Sequence, residues 1–166
     1  VDGDGRPDLL GAIEAERSGD RTLRPVEIRR YRIGQSGAFH HEVLATVDDA
    51  QCRFLVTGDF DGDRESEIVA APMKRGLFLL DPRKGSPARQ RSWQVRQFET
   101  NSSGFEHAVY PADLDRDGRP ELYVAADDQR ELNRYVFDPA AQAFVKTRLG
   151  AREAAVFTWN ITAGRL

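Results

Sequence analysis

Asp59, Asp61, Asp63 and Glu67 occupy positions 1, 3, 5 and 9 of the stretch Asp-Phe-Asp-Gly-Asp-Arg-Glu-Ser-Glu. Asp113, Asp115, Asp117 and Glu121 repeat that spacing in Asp-Leu-Asp-Arg-Asp-Gly-Arg-Pro-Glu. A clipped copy opens the chain at its second position and supplies Asp2, Asp4 and Asp8. Such spacing collects hard oxygen donors around one cation, and Ca2+ takes six to eight oxygens at about 2.3–2.6 Å. The position-7 carbonyls of Glu65, Arg119 and Arg6 are assigned as further ligands. Clustered carboxylates repel one another unless a cation neutralises them. Solvated acidic turns are the plain alternative, but recurrence in matching context favours metal. Calcium is the expected cofactor, because magnesium demands tighter octahedral geometry and sheds water reluctantly.

Position 6 separates the copies. Gly118 permits a sharp turn in the third loop, whereas Arg64 replaces the glycine in the second. A non-glycine residue held at positive φ costs on the order of 1 kcal/mol, so the second loop is expected to be the weaker site. An EF-hand is excluded. It needs an acid at position 12, and the three copies carry Gly11, Ala70 and Val124 there.

The elements that must hold these loops read as strands. Short apolar runs precede the loops at 53–57 and 107–110 and follow them at 8–13, 67–71 and 121–126. Third strands are expected at 26–33, 77–80 and 132–137, and fourth strands at 39–47, 92–98 and 144–149. Runs of this length bounded by turn residues favour buried strands over helices. Gly- and Pro-containing turns at 33–38, 81–87 and 138–142 link third to fourth strands. No segment shows capped helical periodicity. Asp2 to Asp61 is a shift of 59 residues and Asp61 to Asp115 a shift of 54. A period in the fifties suits a four-stranded sheet, the unit of a propeller.

The expected fold is therefore all-β, a β-propeller fragment of about three four-stranded antiparallel blades with a calcium loop between the first and second strands of each. The blades span 1–47 (lacking its first strand), 48–99 and 100–150. Residues 151–166 supply the first strand of a further, degenerate blade or a closing strand. There Asn160, Thr162 and Gly164 fall at loop positions 1, 3 and 5, and little or no metal binding is expected.

Composition excludes several function classes. The 166 residues are 40% hydrophobic and 31% charged, with a formal net charge of −3, so the chain should fold. No basic stripe with interleaved aromatics suggests nucleic acid. No apolar run approaches the ~20 residues that span a bilayer. Cys52 is the sole cysteine, so no intrachain disulfide forms. The chain begins without methionine and inside a repeat, which suggests a piece of something longer. His40, His41 and His107 read as ordinary strand residues with no nucleophile beside them. Asn101-Ser102-Ser103 and Asn160-Ile161-Thr162 match the glycosylation sequon, a weak signal.

Asp-x-Asp-x-Asp-Gly-x-x-Glu followed by Leu-Tyr-Val-Ala resembles the FG-GAP/VCBS repeats of integrin-α-like β-propellers. The resemblance covers nearly the whole chain and rests on the loop motif. It implies structural calcium in loops joining the first and second strands of each blade. Members commonly have about seven blades, so further blades are expected from missing sequence or another chain. The implied function is a non-enzymatic, calcium-stabilised binding or scaffold module, extracellular, periplasmic or on the cell surface. A protein or glycan partner would meet loops at 16–24, 72–76, 100–106 and 127–131. The alternatives are a non-catalytic propeller portion of a larger secreted enzyme, such as a polysaccharide lyase or phospholipase, or an accessory subunit of a membrane-attached assembly.

Overall fold

The computed structural model describes residues 8–34, 37–83, 92–105, 107–151 and 160–164. The described chain is all-β, with four antiparallel sheets, none closed. The first sheet has three strands, β1 (Leu9–Ile13), β4 (Val26–Ile33) and β5 (Phe39–Val47), in that spatial order. A two-stranded ribbon, β2 (Glu16–Ser18) and β3 (Arg21–Arg24), projects between β1 and β4. The second sheet is β6 (Cys52–Gly58), β7 (Glu67–Pro72), β8 (Leu77–Pro82) and β9 (Trp93–Glu99). The third is β10 (Ala108–Ala112), β11 (Glu121–Ala126), β12 (Glu131–Asp138) and β13 (Ala143–Ala151). In the second and third sheets every strand pairs with its sequence neighbour.

Strand alternation explains how the sheets stack. Successive side chains point to opposite faces, and β7 is buried along its whole length. Val69 and Ala71 enter one core with Leu77, Leu79, Val109, Leu122, Val124, Tyr135 and Phe137. Ile68 and Ala70 enter another with Val26, Ile28, Val47, Cys52 and Leu80. The second sheet is thus covered on one face by the third and on the other by the first. Each fully buried Leu, Ile or Val side chain contributes about 1.5–3 kcal/mol. Phe144 bridges three rings of the first of these cores, at 4.5 Å from Phe98, 5.4 Å from Phe137 and 5.9 Å from Phe60.

Two expectations need correction. Residues 16–24 are not a plain loop: they form the β2–β3 ribbon, closed by Gly19 at φ 59°. Asp81 and Pro82 belong to β8 rather than to a turn, and pair with Gln94 and Trp93. The expected turn residues 84–87 lie outside the described residues, as do 152–159 of the C-terminal run. Asn160, Thr162 and Gly164 lie in no strand. No described helix is long and apolar enough to cross a membrane.

Candidate metal centres

Both full acidic loops join adjacent strands, β6 to β7 and β10 to β11. They fold alike because side-chain oxygens satisfy the same backbone amides in each. The position-2 amide donates to the position-9 carboxylate, Phe60 to Glu67 at 2.8 Å and Leu114 to Glu121 at 3.0 Å. The position-6 amide donates to position 1, Arg64 to Asp59 at 2.9 Å and Gly118 to Asp113 at 3.0 Å. Position 5 donates to position 3, Asp63 to Asp61 at 3.0 Å and Asp117 to Asp115 at 3.3 Å. Position 7 donates to position 5, Glu65 to Asp63 at 2.8 Å and Arg119 to Asp117 at 2.9 Å. Bonds of this kind give the loop backbone a local alternative to sheet pairing and draw its amides onto the carboxylates.

Two positions per loop need left-handed backbone. Gly62 and Arg64 have φ of 80° and 74°; Arg116 and Gly118 have 64° and 92°. Each loop therefore spends one glycine and one arginine on positions 4 and 6, in opposite order. The strain expected at Arg64 is present, and Arg116 carries a matching strain. Gly3 and Gly62 at position 4 were the available signal for it.

The loops differ in what they gather. In the second, Asp59, Asp61, Asp63 and Glu67 each bring an oxygen within 4.8 Å of the others. Glu67 is 1% exposed, and its Oε1 has no hydrogen-bond partner. Burial, with Asp61 and Asp63 nearby and only the Phe60 amide opposing, pushes its carboxyl up to about 8. A divalent ion would reverse that penalty. This donor set, all hard oxygen with one orphaned buried atom, fits a cation such as calcium.

In the third loop only Asp113, Asp115 and Asp117 converge within that distance, and all three are exposed. Glu121, assigned to the same set, instead pairs with Arg134 on β12, which also pairs with Asp115. Burial raises the Glu121 carboxyl, but the Leu114 amide and the Arg134 guanidinium outweigh it and hold it at about 2. The second loop, expected to be the weaker, thus has the fuller nest. Asp2, Asp4 and Arg6 lie outside the described residues. Asp8 lies 3.9 Å from the buried Arg30 guanidinium.

The two loops touch. Pro120 lies where a Cβ on Gly58 would meet it at 3.0 Å, and the Arg119 stem lies 2.9 Å from a Cβ on Gly62. Phe60 plugs the core between second and third sheets, while its counterpart Leu114 is 56% exposed.

At the opposite strand ends the expected partner loops meet in pairs. The ribbon and the 72–76 turn line a polar cleft of about 180 Å3 with Arg17, Thr22, Asp48, Asp49, Lys74 and Arg75. Arg75 pairs with Asp48 at 3.0 Å, and Asp49 accepts the Lys74 amide. Ser103 joins the other two loops, its amide donating to Gln129 and its hydroxyl to Asp128. The Arg53 guanidinium stacks 3.7 Å from the Phe105 ring. The reading that no nucleophile accompanies His107 is also corrected. His107 Nδ1 donates to the Pro72 carbonyl at 3.2 Å, which leaves Nε2 to accept from the Ser102 hydroxyl at 2.5 Å. Ser102 and His107 are 0% and 1% exposed, so the pair ties two sheets together out of reach of substrate. Neither Ser102 nor Arg134 was legible as a partner, because both contacts depend on tertiary placement.

Comparison with protein-family models, with curated proteins and with solved structures found no match.

Proposed function

We propose that this chain is part of a calcium-stabilised β-propeller of the FG-GAP/VCBS type, acting as a non-enzymatic binding or scaffold module outside the cytoplasm. The observation that carries the reading is the second loop: four carboxylates within 4.8 Å of one another, one of them buried with an unpartnered oxygen. Bound calcium would supply positive charge that offsets the mutual repulsion of these groups. Asp59, Asp61, Asp63 and Glu67 would hold it, with the Glu65 carbonyl. Because the loop joins β6 to β7, neutralising it stiffens the edge of the second sheet. Asp113, Asp115 and Asp117 form a smaller acidic group on the next sheet.

Stacking supports the radial arrangement. The second sheet turns Val69 and Leu79 towards the third and Ile68 and Leu80 towards the first. In the same sense the first sheet turns Leu10 and Ala12 towards the second. Each sheet therefore covers the next with the equivalent face, as blades around an axis do. Blades beyond these three would come from further sequence or another chain. An extracytoplasmic setting suits the loops, since extracellular modules hold calcium at about 10⁻⁴–10⁻³ M. The paired loops at the far strand ends offer mixed charge and Phe105 to a protein or glycan.

The test is thermal melting with chelator and with calcium chloride. Calcium should raise the midpoint, and Asp63→Asn should remove most of that rise. A midpoint indifferent to both additions would overturn the structural role of the metal.

A further inference from the structure

We propose that the third loop carries its own counter-ion: the Arg134 guanidinium stands between Asp115 and Glu121 in place of a divalent cation, so that metal dependence falls on the second loop. The inference rests on the metal reading of the second loop given above.

Strand register makes the comparison strict. Two residues beyond the position-9 acid, Tyr123 on β11 pairs with Arg134 on β12. The equivalent residue Val69 on β7 pairs with Leu79 on β8. The same place thus holds an arginine in the third sheet and a leucine, 1% exposed, in the second. The acids respond accordingly. Glu121 is held by Arg134 and by the Tyr123 hydroxyl at 3.1 Å, and it drops out of the converging set. Among the described residues Glu67 has no such cation, and it stays within its set with Oε1 unpartnered.

The first sheet also places an arginine at this position, although its close partner there is Glu42 on β5. Leu10 on β1, again two residues beyond the position-9 acid, pairs with Arg30 on β4. Arg30 lies 3.9 Å from Asp8, the two side chains being 0% and 6% exposed. At the position of Leu79, then, two of the three sheets place a guanidinium beside the position-9 carboxylate. Guanidinium is always charged and presents a planar fork that suits two acceptors. Its charge-assisted bonds to Asp115 and Glu121 already relieve the repulsion that a metal would relieve. A cation entering the third loop would have to displace it.

Calorimetric titration of the whole chain with calcium chloride tests this, by the difference in bound equivalents between variants. Asp63→Asn should lose one equivalent relative to wild type, and Asp117→Asn should lose none. Arg134→Leu, which copies the second sheet, should gain one, and Arg134→Leu combined with Asp117→Asn should lose that gain. Loss of an equivalent in Asp117→Asn with Arg134 intact would overturn the proposal. No loss in Asp63→Asn would overturn the metal reading of the second loop. The role of Arg134 would then be decided by its own variant: a gained equivalent upholds it and no gain overturns it. If Arg134→Leu does not fold, Asp117→Asn in the arginine-bearing chain still decides, and Arg134→Gln provides the neutral comparison.

Discussion

Arg64 and Arg116 hold left-handed backbone, with φ of 74° and 64°, where a side chain costs about 1–2 kcal/mol. Glycine relieves that strain but adds freedom to the unfolded chain. Arg64→Gly and Arg116→Gly should therefore each stabilise by about 1 kcal/mol or less, read as a higher urea midpoint. An unchanged or lower midpoint in both would mean that the arginine side chains contribute more than their strain costs. His107 gives a pH prediction. Burial is the largest influence on it and holds its pKa below the ordinary 6.5, against the Pro72 carbonyl and the charges of Asp127, Asp128 and Glu99. The unfolded chain thus takes up a proton near pH 6.5 that the folded chain refuses. Stability should fall as pH drops below that value, by at most about 1.4 kcal/mol per pH unit from this group. His107→Gln should make stability less sensitive to acidification than in wild type between about pH 6.5 and 5; Glu67, held at about 8 in the folded chain, gives an opposing slope there that is common to both proteins. A wild-type slope retained in that variant would assign the loss to other groups. At this scale the spacing marked the three aspartates of each full loop as a group, but not which cations meet them or that Glu121 leaves the third set. Asp-x-Asp-x-Asp spacing is local, whereas Arg134 reaches Asp115 and Glu121 only through the β11–β12 register.

Strands were legible where burial imposes a pattern. β7 is apolar after Glu67 because both its faces lie in cores, and β12 alternates because Asn133, Tyr135 and Phe137 are buried while their neighbours are less so. The β2–β3 ribbon gave no such signal. All but Arg24 of its strand residues are exposed, so nothing selected an apolar period, and only Gly19 marked the reversal. This difference predicts unequal costs. Ile68→Ala, at 0% exposure between the first and second sheets, should destabilise by about 2–5 kcal/mol. Thr22→Ala on the exposed ribbon should stay within about 0.5 kcal/mol. Chemical denaturation of both variants checks the pair, and a ribbon variant as costly as Ile68→Ala would give the ribbon a structural weight its burial does not suggest.

Across the whole molecule, among the described residues, the stacking rule leaves the outer face of the first sheet, like that of the third, without a neighbouring sheet. The second sheet meets the first with Ile68, Ala70 and Leu80, and the third meets the second with Leu122, Val124 and Tyr135. By the same rule the first sheet should meet a preceding one with the face that bears Leu9, Tyr31, Ile33, Phe39 and Val43. Register places these residues together: Leu9 pairs with Tyr31, and Ile33 with Phe39. Leu9, Ile33, Phe39 and Val43 are 60%, 67%, 65% and 47% exposed, an apolar surface interrupted by His41 and Arg29, of the kind that marks an interaction site. The equivalents of Leu9, Tyr31 and Ile33 in the other two sheets are buried, as Ile68, Leu80 and Pro82 in one and Leu122, Tyr135 and Phe137 in the other, so the occupant expected here is another β-sheet. The chain as described should therefore self-associate with rising concentration. Phe39→Lys together with Val43→Lys should return it to a single sedimenting species. Its denaturation midpoint at low concentration should shift little, since exposed positions cost about 0.5 kcal/mol or less. Wild-type protein that sediments as a monomer at every concentration would show that this face tolerates water, and the rule that each sheet must be covered by the next would end at β1.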